Sequence, residues 1–163
     1  MQYEILMDKH ENPRKCTILP LKERKDFRIR YFHGSKPIEA FQANVLLHIE
    51  GESLETLRGE KISSLALIDC NWKLVAGAMK KLQGPLPRLV KIPEGFATAY
   101  PRRNKEGKDP DGGLATIEAL FIAASFLGIW DESLLDKYHF KENFLSINEE
   151  QWRKYSLGKY ANQ

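Results

Sequence analysis

Apolar and polar positions alternate along this chain in a way that predicts a series of short strands and a few helices. Tyr3–Met7 reads as a short strand, and Asp8–Lys15, with its Asn12-Pro13 pair, as a turn. Phe27–Phe32 (FRIRYF) alternates and predicts a half-buried strand. Asn44–Ile49 (NVLLHI) and Ser64–Ile68 (SLALI) are nearly continuous apolar runs, the pattern of strands covered on both faces. The second run ends at Asp69-Cys70-Asn71, and a helix is predicted over Trp72–Leu82, stopped by Gly84-Pro85. Leu86–Ile92 predicts one more strand. Pro93–Gly113 is polar and rich in Gly and Pro, a long loop of the kind that carries function. Leu114–Leu127 predicts a helix so apolar that it must be buried almost all round, closed by Gly128. Further helices are predicted at Glu132–Tyr138 and Glu149–Leu157. Strands alternating with helices define an α/β fold with a mainly parallel sheet. Such sheets bind ligands at the carboxyl ends of their strands, which points to Asp69 and to the loop after Ile92.

Composition narrows the classes. The 163 residues suffice for one domain, or one with two lobes, and 42% of them are apolar. No run is long and apolar enough to span a membrane, and the charged N-terminus lacks the pattern of a signal peptide. The expectation is a cytoplasmic protein with both cysteines, Cys16 and Cys70, reduced. The four histidines show no metal-ligand spacing, so no metal is expected. The net charge of +3 is small, but it is unevenly spread. Between Asn12 and Arg30 seven basic residues face two acidic ones, and Arg102, Arg103, Lys105 and Lys108 form a second cluster. Both patches suit phosphate contact or a solvated surface.

Candidate chemistry gathers at the strand ends. Asp69 can cap the following helix, act as acid or base, or hold a ligand hydroxyl. Trp72 is either a core residue or an electron-rich wall against a cation such as a sulfonium. Thr116, near the start of the apolar helix, either caps it or helps hold a carboxylate there. Glu118 lies inside that helix, where it pairs with a base or faces a site. No dinucleotide, P-loop, nucleophile-elbow or zincin motif is present.

Five short motifs in order give the chain a family resemblance. They are Asn12-Pro13-Arg14-Lys15-Cys16-Thr17 with Leu21 following, Asp69-Cys70-Asn71-Trp72 after a buried strand, Leu86-Pro87-Arg88-Leu89-Val90, the helix opening Leu114, Thr116, Glu118, Ala119, and Phe144-Leu145-Ser146-Ile147-Asn148. Together they resemble the small-subunit ribosomal RNA aminocarboxypropyltransferases over nearly the whole chain. The loop after residue 92 departs from that family's Asn-Pro-x-Asn-Tyr-Gly. With Thr98, Tyr100, Arg103, Pro110, Leu114, Thr116, Glu118 and Ala119 it looks more like the related DTW-domain enzymes that modify uridine in tRNA.

The resemblance implies a SPOUT-like α/β fold. A small N-terminal α/β lobe (1–92) would be joined in one compact unit to a C-terminal lobe (93–163) carrying a trefoil knot threaded through 93–128. It implies transfer of the 3-amino-3-carboxypropyl group of S-adenosylmethionine to a uridine or pseudouridine of ribosomal RNA during ribosome maturation. The alternatives are the same transfer to tRNA, methyl transfer, and an inactive RNA-binding assembly module. By matching positions, Thr17 and the backbone near Thr116 would bind the cofactor's carboxylate, and the Ile68 carbonyl its ribose. Trp72 and Val75 would cover its methyl group, and Leu89, Val90 and Leu114 would wall its adenine. Asp69 would serve as base or positioning group. Arg14, Lys15, Arg102 and Arg103 would hold RNA phosphates. A monomer without membrane contact is expected.

Overall fold

The structure, a computed structural model, describes residues 1–101 and 113–161. Among these residues five strands form one sheet: β1 (Gln2–Asp8), β2 (Phe27–Phe32), β3 (Val45–Ser53), β4 (Ser64–Asp69) and β5 (Arg88–Lys91). Their order is β2-β1-β4-β3-β5, and every pairing is parallel. Among the described residues four helices accompany them: α1 (Trp72–Lys81), α2 (Thr116–Phe126), α3 (Lys141–Ile147) and α4 (Glu149–Lys154). Short 3-10 turns lie at Leu19–Leu21, Leu54–Leu57, Glu132–Leu135 and Gly158–Tyr160. No described helix is long and apolar enough to cross a membrane.

The side chains of a strand alternate between its faces, so a strand covered on both sides must be apolar at odd and even positions alike. β1 and β4 meet that requirement. Tyr3, Ile5 and Met7 of β1, with Leu65 and Leu67 of β4, face a large cluster that also holds Phe121 of α2, Phe144 of α3 and Trp152 of α4. Leu6 and Ala66 face the other side, with Phe32, Leu46 and Ala78 of α1. Helices thus cover both faces, α1 on one and α2, α3 and α4 on the other. The large cluster draws residues from both sides of position 92. As its composition requires, α2 is buried nearly all round, from Ile117 through Phe126 with Ala119 alone partly open.

Several boundaries differ from expectation. β3 runs on to Ser53 because a bulge intervenes: both Leu47 and Glu52 register against Val90, and the four residues between them leave the ladder. Gly51 makes this possible, since a Cβ there would collide with the Val90 backbone. Glu132–Leu135 is a single 3-10 turn, and the helix follows later, at Lys141–Ile147. α3 ends where the buried Asn148 turns its amide to the Phe144 and Ala97 carbonyls and its oxygen to the Ala97 N–H.

Candidate functional site

The carboxyl ends of β1, β3 and β4 open on one edge of the sheet. A cleft of about 1230 Å³ lies there, bounded by the turn after β1, the β3 bulge, the β4–α1 junction and the start of α2. That volume accommodates a nucleoside-sized ligand with a polar arm.

Asp69 lies in its floor, 8% exposed, at the last position of β4. Both its oxygens are engaged: the Thr116 hydroxyl donates to Oδ1 at 2.7 Å and the Cys16 thiol to Oδ2 at 3.3 Å. The α1 cap is a different residue, Asn71, whose Oδ1 accepts the Lys73 N–H at 3.1 Å. Thr116 likewise spends its hydroxyl on Asp69 and leaves capping of α2 to Glu118, which takes the Ala115 N–H at 2.7 Å. Burial, reinforced by the Asp69 charge, pushes the Cys16 thiol to about 11 and the Cys70 thiol to about 12. Both cysteines are free thiols, and a protonated Cys16 is what donates to Asp69.

The first motif closes into a turn in which the Lys15 and Cys16 N–H groups donate to the Asn12 carbonyl and the Arg14 N–H to Asn12 Oδ1. This brings Thr17 to α2, where Thr17 Oγ1 accepts the Ile117 N–H at 3.2 Å. Its own hydrogen remains free to donate, because a hydroxyl does both. The Thr17 hydroxyl and the backbone around Thr116 at the first turn of α2 therefore form one polar corner suited to a carboxylate. Across the cleft, Trp72 at the start of α1 is 36% exposed, and Val75 lies one turn on.

Of the residues singled out in the sequence, the structure gathers Lys15, Thr17, Ile68, Asp69, Trp72, Val75, Leu114 and Thr116 around this one cleft. Leu89 and Val90 do not line it. Val90 is wholly buried in the sheet, Leu89 packs toward the α1 side, and the strand meets the cleft through Lys91 and Ile92 instead. Arg14 is exposed beside the turn and outside the lining. Arg102 and Arg103 lie outside the described residues, as does the Arg103 and Pro110 part of the loop pattern.

Sequence reasoning gave no site role to three parts of the cleft, although it named Tyr100 in the loop pattern. Glu11 lines the cleft in the turn after β1. Leu47, His48 and Ile49 enter it from the bulge, whose one sequence signal is Gly51 inside a strand pattern. Tyr100 also lines it, donating its hydroxyl to the Lys15 carbonyl at 3.4 Å and meeting Phe140 edge-on. Glu118 holds that last part in place without lining the cleft and, among the described residues, without pairing with a base. It is fully buried and accepts from Ala115 N, Ala99 N, Thr98 Oγ1 and Tyr138 OH, all at 2.7–2.8 Å. Among the described residues no group of histidine, cysteine and carboxylate side chains is arranged to hold a metal.

Fold and site together define an α/β ligand-binding domain. Its cleft, at the carboxyl edge of a parallel sheet, has an aromatic wall, an anchored carboxylate and a polar corner at a helix start. No protein-family model matches the chain. A curated relative, the 16S rRNA aminocarboxypropyltransferase of Halobacterium salinarum, is 27% identical over 162 residues, covering 96% of this chain and 87% of that protein. In fold the chain is similar to the SAM-dependent rRNA:acp-transferase Tsr3 of Vulcanisaeta distributa. The TM-score is 0.67 at 24% identity, covering 94% of this chain and 82% of that one. The resemblance to ribosomal RNA aminocarboxypropyltransferases carried by the five motifs is thus borne out, in sequence and in fold, along nearly the whole chain.

Proposed function

We propose that the protein transfers the 3-amino-3-carboxypropyl group of S-adenosylmethionine to a uridine-type base of ribosomal RNA, in ribosome maturation. The observation that carries this reading is the convergence of the motif residues on one cleft in a chain similar end to end to an enzyme of that name. S-adenosylmethionine supplies a sulfonium whose carbons are open to attack. The residues present fit it. The Trp72 face suits the cation, the corner of Thr17 and the α2 start suits the arm's carboxylate, and the Ile68 carbonyl at the end of β4 suits ribose hydroxyls. Val75 and Leu114 supply apolar wall, and Leu89 and Val90 support it from behind. Asp69, held by Thr116 and Cys16, faces the reacting centre from the floor. Which carbon is transferred depends on which one faces the nucleophile. A methyl group covered by Trp72 and Val75 leaves the arm to react.

The same resemblance supports a SPOUT-like division into lobes at 1–92 and 93–163 with a trefoil knot in the second, in a monomeric cytoplasmic enzyme. Lys15 on the rim, with Arg14, Arg102 and Arg103, would hold RNA phosphates without reading sequence. A second reading, tRNA as substrate, is favoured by the DTW-like loop, whose Thr98 and Tyr100 both serve the site: Thr98 donates to Glu118 and Tyr100 lines the cleft.

The test is incubation with S-adenosylmethionine labelled either in the carboxypropyl carbons or in the methyl group, with ribosomal and transfer RNA pools kept apart. Carboxypropyl label in ribosomal RNA is expected. The same label confined to tRNA would move the substrate, methyl label would overturn the chemistry, and no label in either pool would leave an RNA-binding module.

A further inference from the structure

Resting on that reading, we propose that Glu11 is the catalytic proton acceptor, taking the N–H proton of the target base as it is alkylated. The ring nitrogen forms its bond to the terminal carbon of the carboxypropyl arm as that carbon's bond to sulfur breaks. The electron pair returns to sulfur and neutralises it, leaving 5′-methylthioadenosine, and the displaced proton passes to the Glu11 carboxylate. The alternative acceptor, Asp69, is poorly placed to gain a proton. One oxygen already takes the Thr116 hydroxyl and the other the Cys16 thiol. Protonating it would turn a donor away from a nearly buried carboxyl.

Glu11 is half-buried in the same cleft and differs in its surroundings. Unlike that of Asp69, its carboxylate is held by no side-chain donor among the described residues, and it lines the cleft directly. Its backbone is fixed, with its own N–H on the Asp8 carbonyl at 3.0 Å and the following turn closed on Asn12. Among the described residues, the titratable groups whose charge is coupled to it are Asp8 of β1, Asp69 and Cys70 at the end of β4, and Lys15 of its own turn. Burial first, then the charges of Asp69 and Asp8, hold the Glu11 carboxyl above the ordinary glutamate value, with Lys15 and the Asn12 N–H opposing. A base displaced toward neutrality takes protons more effectively than an ordinary carboxylate.

The test uses the full chain with S-adenosylmethionine and the RNA pool that the wild type labels. Glu11→Gln, nearly isosteric, is expected to keep cofactor affinity within about twofold by calorimetry. It should lower single-turnover transfer by about 100-fold, the lower end for loss of a general base. The acid limb of the rate–pH profile, where activity falls as Glu11 is protonated, should vanish in this variant and persist in Asp69→Asn. Independently of turnover, carbon-13 carboxyl resonances should show one glutamate titrating above the ordinary value in the wild type and missing in Glu11→Gln. Transfer within about threefold of wild type, an acid limb lost in Asp69→Asn instead, or a Glu11 resonance titrating at the ordinary value would each overturn the assignment. A wild-type protein that labels no RNA fails the functional reading itself and is told apart at that step.

Discussion

Glu118 shows how one side chain governs a site it does not touch. A carboxylate only accepts, and here four donors converge on it, two from backbone and two from hydroxyls. They come from the start of α2, from the Thr98–Ala99 strap and from Tyr138, so the residue ties three segments together beside the cleft. Tyr100, next in the strap, has its N–H on Thr98 Oγ1 and its ring at the cleft. Glu118→Ala leaves buried donors without an acceptor, and a loss of about 3–5 kcal/mol is expected from several such orphaned groups. Glu118→Gln keeps the shape but aims an amide donor at another donor, and about 1–3 kcal/mol is expected. Urea unfolding of both variants checks this, and a Glu118→Gln midpoint equal to wild type would show that the four bonds are not jointly required. A charged residue in an apolar helix was visible in the sequence as an anomaly. Its partners were not, because Ala99 lies 19 residues before it and Thr98 and Tyr138 lie 20 residues to either side.

At the scale of elements, what could be read was what periodicity encodes. The apolar runs of β1 and β4 are buried on both faces, FRIRYF is the half-buried edge strand expected, though Tyr31 is exposed and Phe32 is buried on the opposite face, and α2 lies where an all-apolar helix must. α3 escaped because it spans two turns and buries one residue, Phe144, too little to set a period. The β3 bulge escaped for another reason: it is specified by a close approach between two backbones. Gly51 is the residue that permits it. Gly51→Ala forces β3 away from β5 and is expected to cost about 1–3 kcal/mol or more through overpacking. Because His48 and Ile49 of the same bulge line the cleft, affinity for S-adenosylmethionine should fall as well. Unfolding midpoints and calorimetry on one preparation test both effects. A variant with unchanged stability would mean that the bulge can open freely, and the bulge would then not be a fixed wall.

Across the whole molecule, the first and last thirds are joined by more than the shared core. Arg24, just before β2, donates to Asp26 beside it, to Asp131 at 2.9 Å and to the Ser133 hydroxyl at 2.7 Å. The Arg24 hydrogen bond holds the Asp26 carboxyl below its usual range against the opposing effect of burial. Burial pushes Asp131 upward, but hydrogen bonds from Ser133 and Arg24 outweigh it and its carboxyl too ends below the usual range. A carboxylate depressed in the folded state contributes stability that is present above its unfolded value, about 4, and is lost as pH falls through the folded one. Arg24→Met keeps most of the stem and removes the charge. With about a third of each Asp side chain still exposed, screening keeps the expected loss at neutral pH to about 1–2 kcal/mol. Unfolding free energies measured from about pH 7 down to about pH 2.5 separate two origins for that loss. If the ion triad is responsible, the gap between wild type and variant starts to close as pH falls below about 4 and vanishes only beneath the depressed folded values, where both carboxylates are protonated in either protein. If the loss comes instead from the Arg24 guanidinium over the Phe27 ring, 5.8 Å away, the gap stays constant across the range, since neither partner in that contact titrates there.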